Sequence, residues 1–286
     1  MTTHLVPPHF PYVVPKNLCD VIQHLGLHAN LVSVYDFSDI RTWDGTSNLV
    51  FSSGVNGEQI YNGTNSLSST LGVDPSGNPG FQTASEIVTN KTNHSGVLTV
   101  TSAVSAYNTM HKTNGQSTFV TWHKPNANVA TIPLYTNVVA NSDTYSTHGP
   151  GIAIGPISTD GGSTYKDAIV AMDDSSSLNS LSGGKYFVGS LYTTGTSTWV
   201  FSAQVLNLAS LTAIIQTNST QVTGSTSNLP SASLSGNNAS YPMSYAGNLV
   251  TTAGIIQTSA FAIWNRALSS TELMTLYNTT KTKYGF

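Results

Sequence analysis

The amino-acid sequence predicts an all-β fold, a two-sheet antiparallel sandwich with one short helix near each end of the chain. From residue 30 onward, apolar and polar residues alternate with a period of two, as in "NLVSVYDFSD", which is the period of a strand. Similar short runs recur between clusters of Gly, Asn, Asp, Pro and Ser, a spacing typical of sandwiches. Helical spacing of apolar residues marks two places, residues 16–27 and residues 269–277.

Residues 1–15 predict an extended arm, because proline disfavours packed elements and favours polyproline-like chain. We expect the arm to order against a neighbouring chain and to act in assembly. Its assembly residues are Pro7, Pro8, Phe10, Pro11, Tyr12 and Pro15.

A short amphipathic helix follows the arm. Leu18, Val21, Ile22 and Leu25 recur at helical spacing, and Gly26 stands where a helix commonly stops. Two interpretations stay open: the helix docks on a partner together with the arm, or it closes one end of the sandwich. The first divides the chain into a docking segment, residues 1–28, and a sandwich domain, residues 29–286.

The predicted strands follow in order. Besides the run at 30–39, they cover residues 117–124, 130–137, 149–158, 167–174, 184–194, 197–207 and 258–265. Residues 219–238 are poor in large apolar side chains, so we predict a long loop there.

The stretch "AFAIWNRALSSTELMTLYN", residues 260–278, passes from an apolar strand through a turn into a helix. Ser269 and Glu272 have the spacing of a capping box, in which each side chain bonds the other's backbone. Leu273, Leu276 and Tyr277 then supply one apolar face.

This closing stretch resembles the laminin-G-like or concanavalin A-like jelly rolls, in which a last strand leads into an aromatic-Asn-Arg-Ala-Leu turn and a helix beginning Ser-x-x-Glu. "LVSVYDFSD", "STFVTWHKPN" and "GTSTWVFSAQVLN" are similar to other strands of that family, in the same order. The resemblance covers residues 31–286. It implies a jelly-roll sandwich with the last helix packed on its edge, and core positions for Trp122, Trp199 and Trp264.

Composition limits the partners. Charged residues make up 8% of the 286 residues and the net charge is −3, against about 25% charged in ordinary domains. Without a basic cluster we expect no nucleic-acid partner. Residues 1–26 do not have the pattern of a secretory signal, and no run approaches about 20 apolar residues, so we expect no membrane partner. Cys19, the one cysteine, is expected to be a buried thiol.

The sequence predicts no enzyme. It has no Glu-x-Asp-x-x-Glu strand, no Gly-x-Ser-x-Gly elbow, no His-Glu-x-x-His and no phosphate loop. The eight histidines lack the spacing of metal ligands. His123, beside Trp122, is interpreted as a surface or core histidine with satisfied hydrogen bonds.

Calcium is the one ion that the resemblance implies. Asp36, Asp39 and Asp44 could supply three hard oxygen ligands, although "DFSDIRTWDG" also fits a strand that leads into a turn. Trp43 and Tyr145 lie in turn-rich segments, where an aromatic ring could contact a sugar face.

Two functional hypotheses follow. Low charge, abundant Ser, Thr, Asn and Gly, and the proline-rich arm resemble virion structural proteins of phages and viruses, such as capsid decoration, tail or fibre proteins. This predicts a non-enzymatic homo-oligomer in the virion that contacts other virion proteins and has a capacity for surface glycans. The alternative is a carbohydrate-binding module or adhesin that recognises a surface polysaccharide. A glycoside hydrolase or lyase would need two carboxylates brought together from distant strands.

Overall fold

The computed structural model describes residues 17–36, 49–51, 59–62, 87–90, 98–100, 105–112, 114–125, 135–136, 151–158, 164–172, 186–193, 199–225, 244–245 and 255–284. The arm residues predicted for assembly lie outside these ranges. The helices are α1 (Leu18–His24) and α2 (Ser270–Thr280), with 3₁₀ turns at Ser105–Asn108 and Lys281–Tyr284. None of the described helices is long and apolar enough to cross a membrane.

The described strands are β1 (Leu31–Asp36), β2 (Leu49–Phe51), β3 (Gln59–Asn62), β4 (Ile87–Asn90), β5 (Leu98–Val100), β6 (Gln116–Pro125), β7 (Tyr135–Thr136), β8 (Gly151–Ser158), β9 (Thr164–Met172), β10 (Tyr186–Thr193), β11 (Val200–Asn207), β12 (Thr212–Thr217), β13 (Thr220–Ser225), β14 (Ser244–Tyr245) and β15 (Ile255–Trp264). They confirm the all-β prediction.

Two antiparallel sheets contain these strands. The seven-stranded sheet has the order β1-β15-β6-β11-β12-β13, with β4 also paired to β15. The eight-stranded sheet has the order β10-β9-β8-β7-β14-β5-β3-β2. The first strand of the fold therefore pairs with the last, with Leu31 opposite Trp264.

The seven-stranded sheet is covered on both faces. Alternate residues of its strands, among them Trp122, Phe201 and Ala262, form one buried cluster with Ile22 of α1 and Leu276 of α2. The Trp122 ring stacks on Tyr277 of α2, with ring centroids 6.1 Å apart, and its indole N–H donates to Thr280 Oγ1 at 3.0 Å. The expected core positions of Trp122, Trp199 and Trp264 are confirmed.

The other face of this sheet meets the eight-stranded sheet. Thr217 Oγ1 on β12 donates to Asp167 Oδ2 on β9 at 2.6 Å, in a buried hydrogen bond that joins the two sheets. Tyr35 and Phe261, on paired strands, contact each other with ring centroids 4.6 Å apart. The two-sheet sandwich prediction is therefore confirmed.

Helix α1 belongs to the packed core. Asn17 caps its start by accepting from Asp20 N–H at 2.8 Å. The helix ends at His24, and Gly26 follows its C-cap with a φ of 68°, a conformation that glycine adopts without strain. Leu27 N–H donates back to Ile22 O at 2.9 Å. The apolar residues of α1 pack with those of α2 against one face of the seven-stranded sheet, a placement that neither interpretation of this helix named. Cys19 is buried, as predicted.

The predicted loop at 219–238 is wrong over residues 220–225, which form β13. Asn218, with a φ of 52°, turns the chain so that Thr220 pairs with Thr217. Backbone hydrogen bonds to β12 hold this polar strand, so it needs little apolar burial. Strand β12 was not predicted either, and residues 226–238 lie outside the described ranges.

Candidate functional site

Most of the ligand residues predicted from sequence lie outside the described part of the chain. These are Trp43 and Tyr145 for sugar contact, and Asp39 and Asp44 for calcium. Asp36 is described at the end of β1, where it is fully buried. Its carboxylate lies 3.3 Å from Lys283 Nζ and accepts from Leu18 N–H at 2.7 Å.

The Asp36 carboxylate thus joins β1, the start of α1 and the C-terminal 3₁₀ turn. Nowhere in the described ranges do three or more His, Cys, Asp or Glu side chains cluster as a metal site would require. The calcium prediction, which needs Asp39 and Asp44, stays a prediction.

The structure reveals an open cleft of about 370 Å³, which we call the amide cleft. Three turns enclose it, one before β1, one before β6 and one after β15. Because β15 is antiparallel to both neighbours, these turns meet at the same end of the sheet. The lining residues are Asn30, Thr109, Lys112, Asn114, Gly115, Gln116, Asn265 and Arg266.

The turn before β6 is held by its own backbone. Lys112 N–H donates to Thr109 O at 3.1 Å and Gly115 N–H donates to Lys112 O at 2.8 Å. Gly115 O in turn accepts from Leu208 N–H at 2.9 Å, which attaches the turn to the end of β11. This side of the cleft is therefore a compact turn on a rigid sheet.

The turn after β15 is joined to both neighbouring strands. Asn265 N–H donates to Asn30 O at 2.9 Å. Thr118 Oγ1 of β6 donates to Arg266 O at 2.7 Å and accepts from Leu268 N–H at 2.9 Å. These contacts give the Asn-Arg-Ala-Leu stretch a second role, because its first two residues line the cleft.

Three side-chain amides of the cleft are available to a ligand. Those of Asn30, Asn114 and Asn265 are exposed and have no hydrogen-bond partner in the described ranges. Gln116 differs, because its Oε1 accepts from Ala267 N–H at 3.3 Å. Each free amide offers two N–H donors and one carbonyl acceptor, which suits recognition of hydroxyl groups.

Arg266 is held in place on the wall of the cleft. Its Nε donates to Ala29 O at 2.9 Å, and its Nη1 pairs with Glu272 Oε1 at 2.9 Å. Partial burial alone would raise the pKa of Glu272, but hydrogen bonds from Ser269 and Arg266 outweigh it and hold this pKa below its usual value. The predicted capping box of Ser269 and Glu272 is confirmed.

Sequence reasoning did not identify this cleft. It assigned the Asn-Arg-Ala-Leu turn a structural role only, and it gave no role to the turn "HKTNGQS", residues 111–117. Asn-Gly at 114–115 and the Asn-Arg pair at 265–266 were the available signals. Their proximity depends on strand pairing, which is not visible in local sequence.

The sandwich interior holds a second set of polar side chains between the sheets. Gln204 Nε2 donates to Ser202 Oγ at 2.5 Å, near the Thr217 to Asp167 bond. His123 is fully buried, and neither ring nitrogen has a hydrogen-bond partner in the described ranges. The structure places His123 in the core, one of the two placements that the sequence left open, but the predicted hydrogen-bond satisfaction is wrong. This interior is closed and suits packing more than ligand exchange.

No protein-family model matches the chain, and no curated protein matches it by sequence. Solved structures do match the fold. The chain is an all-β jelly roll.

The binding domain of Paraclostridial Mosquitocidal Protein 1 matches this jelly roll at 16% identity with a TM-score of 0.57, over 88% of this chain and 53% of that one. The binding domain of botulinum neurotoxin DC, in complex with rat synaptotagmin II, matches at 15% identity and 0.54, over 88% and 52%. A botulinum neurotoxin type C structure matches at 14% and 0.55, over 89% and 52%. The jelly roll spans about half the length of these chains, and at such identities the likeness establishes the fold alone.

Proposed function

We propose that this chain is a non-catalytic recognition domain that binds a surface saccharide in the amide cleft. The observation that carries the proposal is the set of unpartnered amides on Asn30, Asn114 and Asn265, held by three turns on a rigid sheet. Pre-positioned donors and acceptors bind with a small loss of conformational entropy. Saccharides present arrays of hydroxyls that such groups can match.

The matched structures support a recognition role as an analogy of fold. One is the binding domain of botulinum neurotoxin DC in complex with rat synaptotagmin II. Another is of botulinum neurotoxin type C, whose cell entry is dependent upon interaction with two ganglioside molecules. This chain matches only about half of the length of those chains. The likeness therefore does not assign their ligands to the half that this chain matches.

The non-catalytic part of the proposal is supported by the residues of the cleft wall. Glycoside hydrolysis ordinarily uses two carboxyl groups on either side of the scissile bond. Among the described residues that line the amide cleft there is no Asp and no Glu.

The test combines a glycan array with calorimetry on the best saccharide, using the double variant Asn114→Gly, Asn265→Ala. Asn114 has a φ of 63°, so glycine removes its amide without backbone strain. Losing two hydrogen-bonding groups is expected to weaken binding about tenfold or more. Asn278→Ala, which removes an exposed amide from α2, is the matched control. Saccharide binding that the double variant leaves unchanged would refute the proposal.

A second proposal concerns where the domain works. We propose that it is a virion structural protein of a phage or virus, attached through residues 1–16, in a homo-oligomer or on other virion proteins. The supporting observations are the low charge and the proline-rich arm. The arm precedes Asn17 and α1, which are buried against the sandwich. A docked arm would therefore be tethered to a fixed point of the fold.

A further inference from the structure

Two cationic side chains, those of Lys112 and Arg266, line the amide cleft, and the described lining residues include no acidic side chain. The proposed recognition of hydroxyl groups does not require these two cations. The whole chain has 10 Lys and Arg against 13 Asp and Glu. Two cations on the wall of one cleft therefore oppose the net charge of the molecule.

The Glu272 carboxylate beside Arg266 leaves part of the guanidinium available. Glu272 Oε1 engages Arg266 Nη1, while its Oε2 accepts from Ser269 N–H at 2.7 Å and from Ser269 Oγ at 2.9 Å. Arg266 Nη2 has no hydrogen-bond partner within the described ranges. Because the guanidinium is already held through Nε and Nη1, an additional bond from Nη2 would lose little side-chain entropy.

The lining of the cleft also limits the type of saccharide. The described lining residues include no aromatic ring, so they provide no stacking platform for the apolar face of a neutral sugar. They carry amides, one hydroxyl at Thr109 and the cationic groups of Lys112 and Arg266. A carboxylate matches the cations through charge-assisted hydrogen bonds, and neighbouring hydroxyls match the amides.

We propose that the amide cleft selects a saccharide that carries a carboxylate, with Lys112 and Arg266 binding the carboxylate and the three asparagine amides binding adjacent hydroxyls. This inference rests on the proposed saccharide-binding function and names its ligand class. Uronic acids and sialic acids share the required chemistry.

The test measures binding of the full chain to polygalacturonate and to polysialate, each compared with its carboxyl-reduced form, at low and at high salt. Reduction replaces the carboxylate with an alcohol and keeps the rest of the polymer. Wild-type protein is expected to bind at least one carboxylated polymer about tenfold more tightly than its reduced form, and added salt is expected to narrow the difference. The polymer that shows the difference identifies the sugar class.

Lys112→Gln is expected to remove most of this preference, because it weakens binding of the carboxylated polymer more than binding of the reduced polymer. Lys112→Arg, which keeps the positive charge, is expected to retain the preference. Lys281→Gln, which removes a cation located over the Tyr277 ring and away from the cleft, is the matched control and is expected to behave as wild type.

The outcomes separate the two proposals. If wild type binds carboxylated and reduced polymers equally, and the Asn114→Gly, Asn265→Ala variant weakens both, the saccharide function stands and the carboxylate preference is wrong. If Lys112→Gln keeps the full preference, the assignment of Lys112 is overturned. If no saccharide binds, both proposals fail.

Discussion

His123 brings two ring nitrogens into the sandwich interior, in a row with Thr258 and Val200 on the paired strands. Burial lowers its pKa from 6.5 to about 3, because a charged imidazole would lose its hydration there. In the unfolded chain, His123 therefore takes up a proton below about pH 6.5. In the folded chain, its imidazole stays neutral down to about pH 3. The free energy of unfolding that depends on neutral His123 is fully present above pH 6.5 and is lost as the pH falls towards 3.

We expect His123→Leu to flatten the acid side of the stability curve. Between pH 6.5 and 4 the wild-type free energy of unfolding should fall by about 1.4 kcal/mol more per pH unit than that of the variant. Urea denaturation at pH 7, 5.5 and 4.5 measures both, with His28→Ala, which removes an exposed imidazole, as the control. Parallel curves for wild type and His123→Leu would contradict the expectation.

At the scale of elements, a helix or strand could be predicted from sequence when local interactions hold it. It could not be predicted when the interactions that hold it join residues far apart in the chain. The start of α2 could be predicted because Ser269, Glu272 and the apolar face are local features. Strand β13 could not, because Gln221 and Thr223 resemble loop residues and are held by contacts with distant parts of the chain, namely pairing with β12 and a hydrogen bond from Gln221 Nε2 to Ser270 O at 2.8 Å. The amide cleft combines turns separated by about 80 and 150 residues, so no local pattern indicates it.

Gly115 provides a test of the turn before β6. A Cβ at this position would lie 2.5 Å from the carbonyl oxygens of Met110 and Thr109 and 2.8 Å from that of Lys112. The backbone of the turn would have to move to make room for this Cβ. We therefore expect Gly115→Ala to lower the free energy of unfolding by about 2 kcal/mol and to weaken saccharide binding. Urea denaturation and calorimetry measure the two effects.

Gly26→Ala is the matched control for Gly115→Ala. A Cβ on Gly26 meets open space, although its φ is 68°, so we expect a cost of about 1 kcal/mol from backbone strain and unchanged binding. Equal losses of stability and of binding in the two variants would show that the contacts around Gly115 do not shape the cleft.

At the scale of the molecule, the burial of both faces of the seven-stranded sheet explains the low fraction of charged residues. All six residues of β1 are buried, including Ser33 and Asp36, and β11 is buried over seven of its eight. These two strands consist mostly of apolar and uncharged polar residues, with Asp36 as their one acidic residue. The two-sheet architecture was predictable from this pattern, but the helices that cover one face were predictable only as elements and not in their placement.

The arm is tested by deleting residues 1–16, which leaves α1 intact. If the arm drives assembly as proposed, we expect mass photometry to show a defined oligomer for the full chain and a monomer for the deleted chain, with the thermal midpoint unchanged. Deletion through residue 28 is the contrast, because it removes Leu18, Val21 and Ile22 from the core and should unfold the domain. An oligomer unchanged by the shorter deletion would refute assembly through the arm.

The buried link between Asp36 and Lys283 has a consequence for synthesis on the ribosome. The two residues are 247 positions apart, and β1 also waits for β15 as its partner. At translation rates of about 5–20 residues per second, the nascent chain holds α1 and β1 without these partners for roughly 12–50 seconds. The pairing of β1 with β15 can form only after residue 264 has left the exit tunnel, and the Asp36–Lys283 ion pair only after residue 283 has left it.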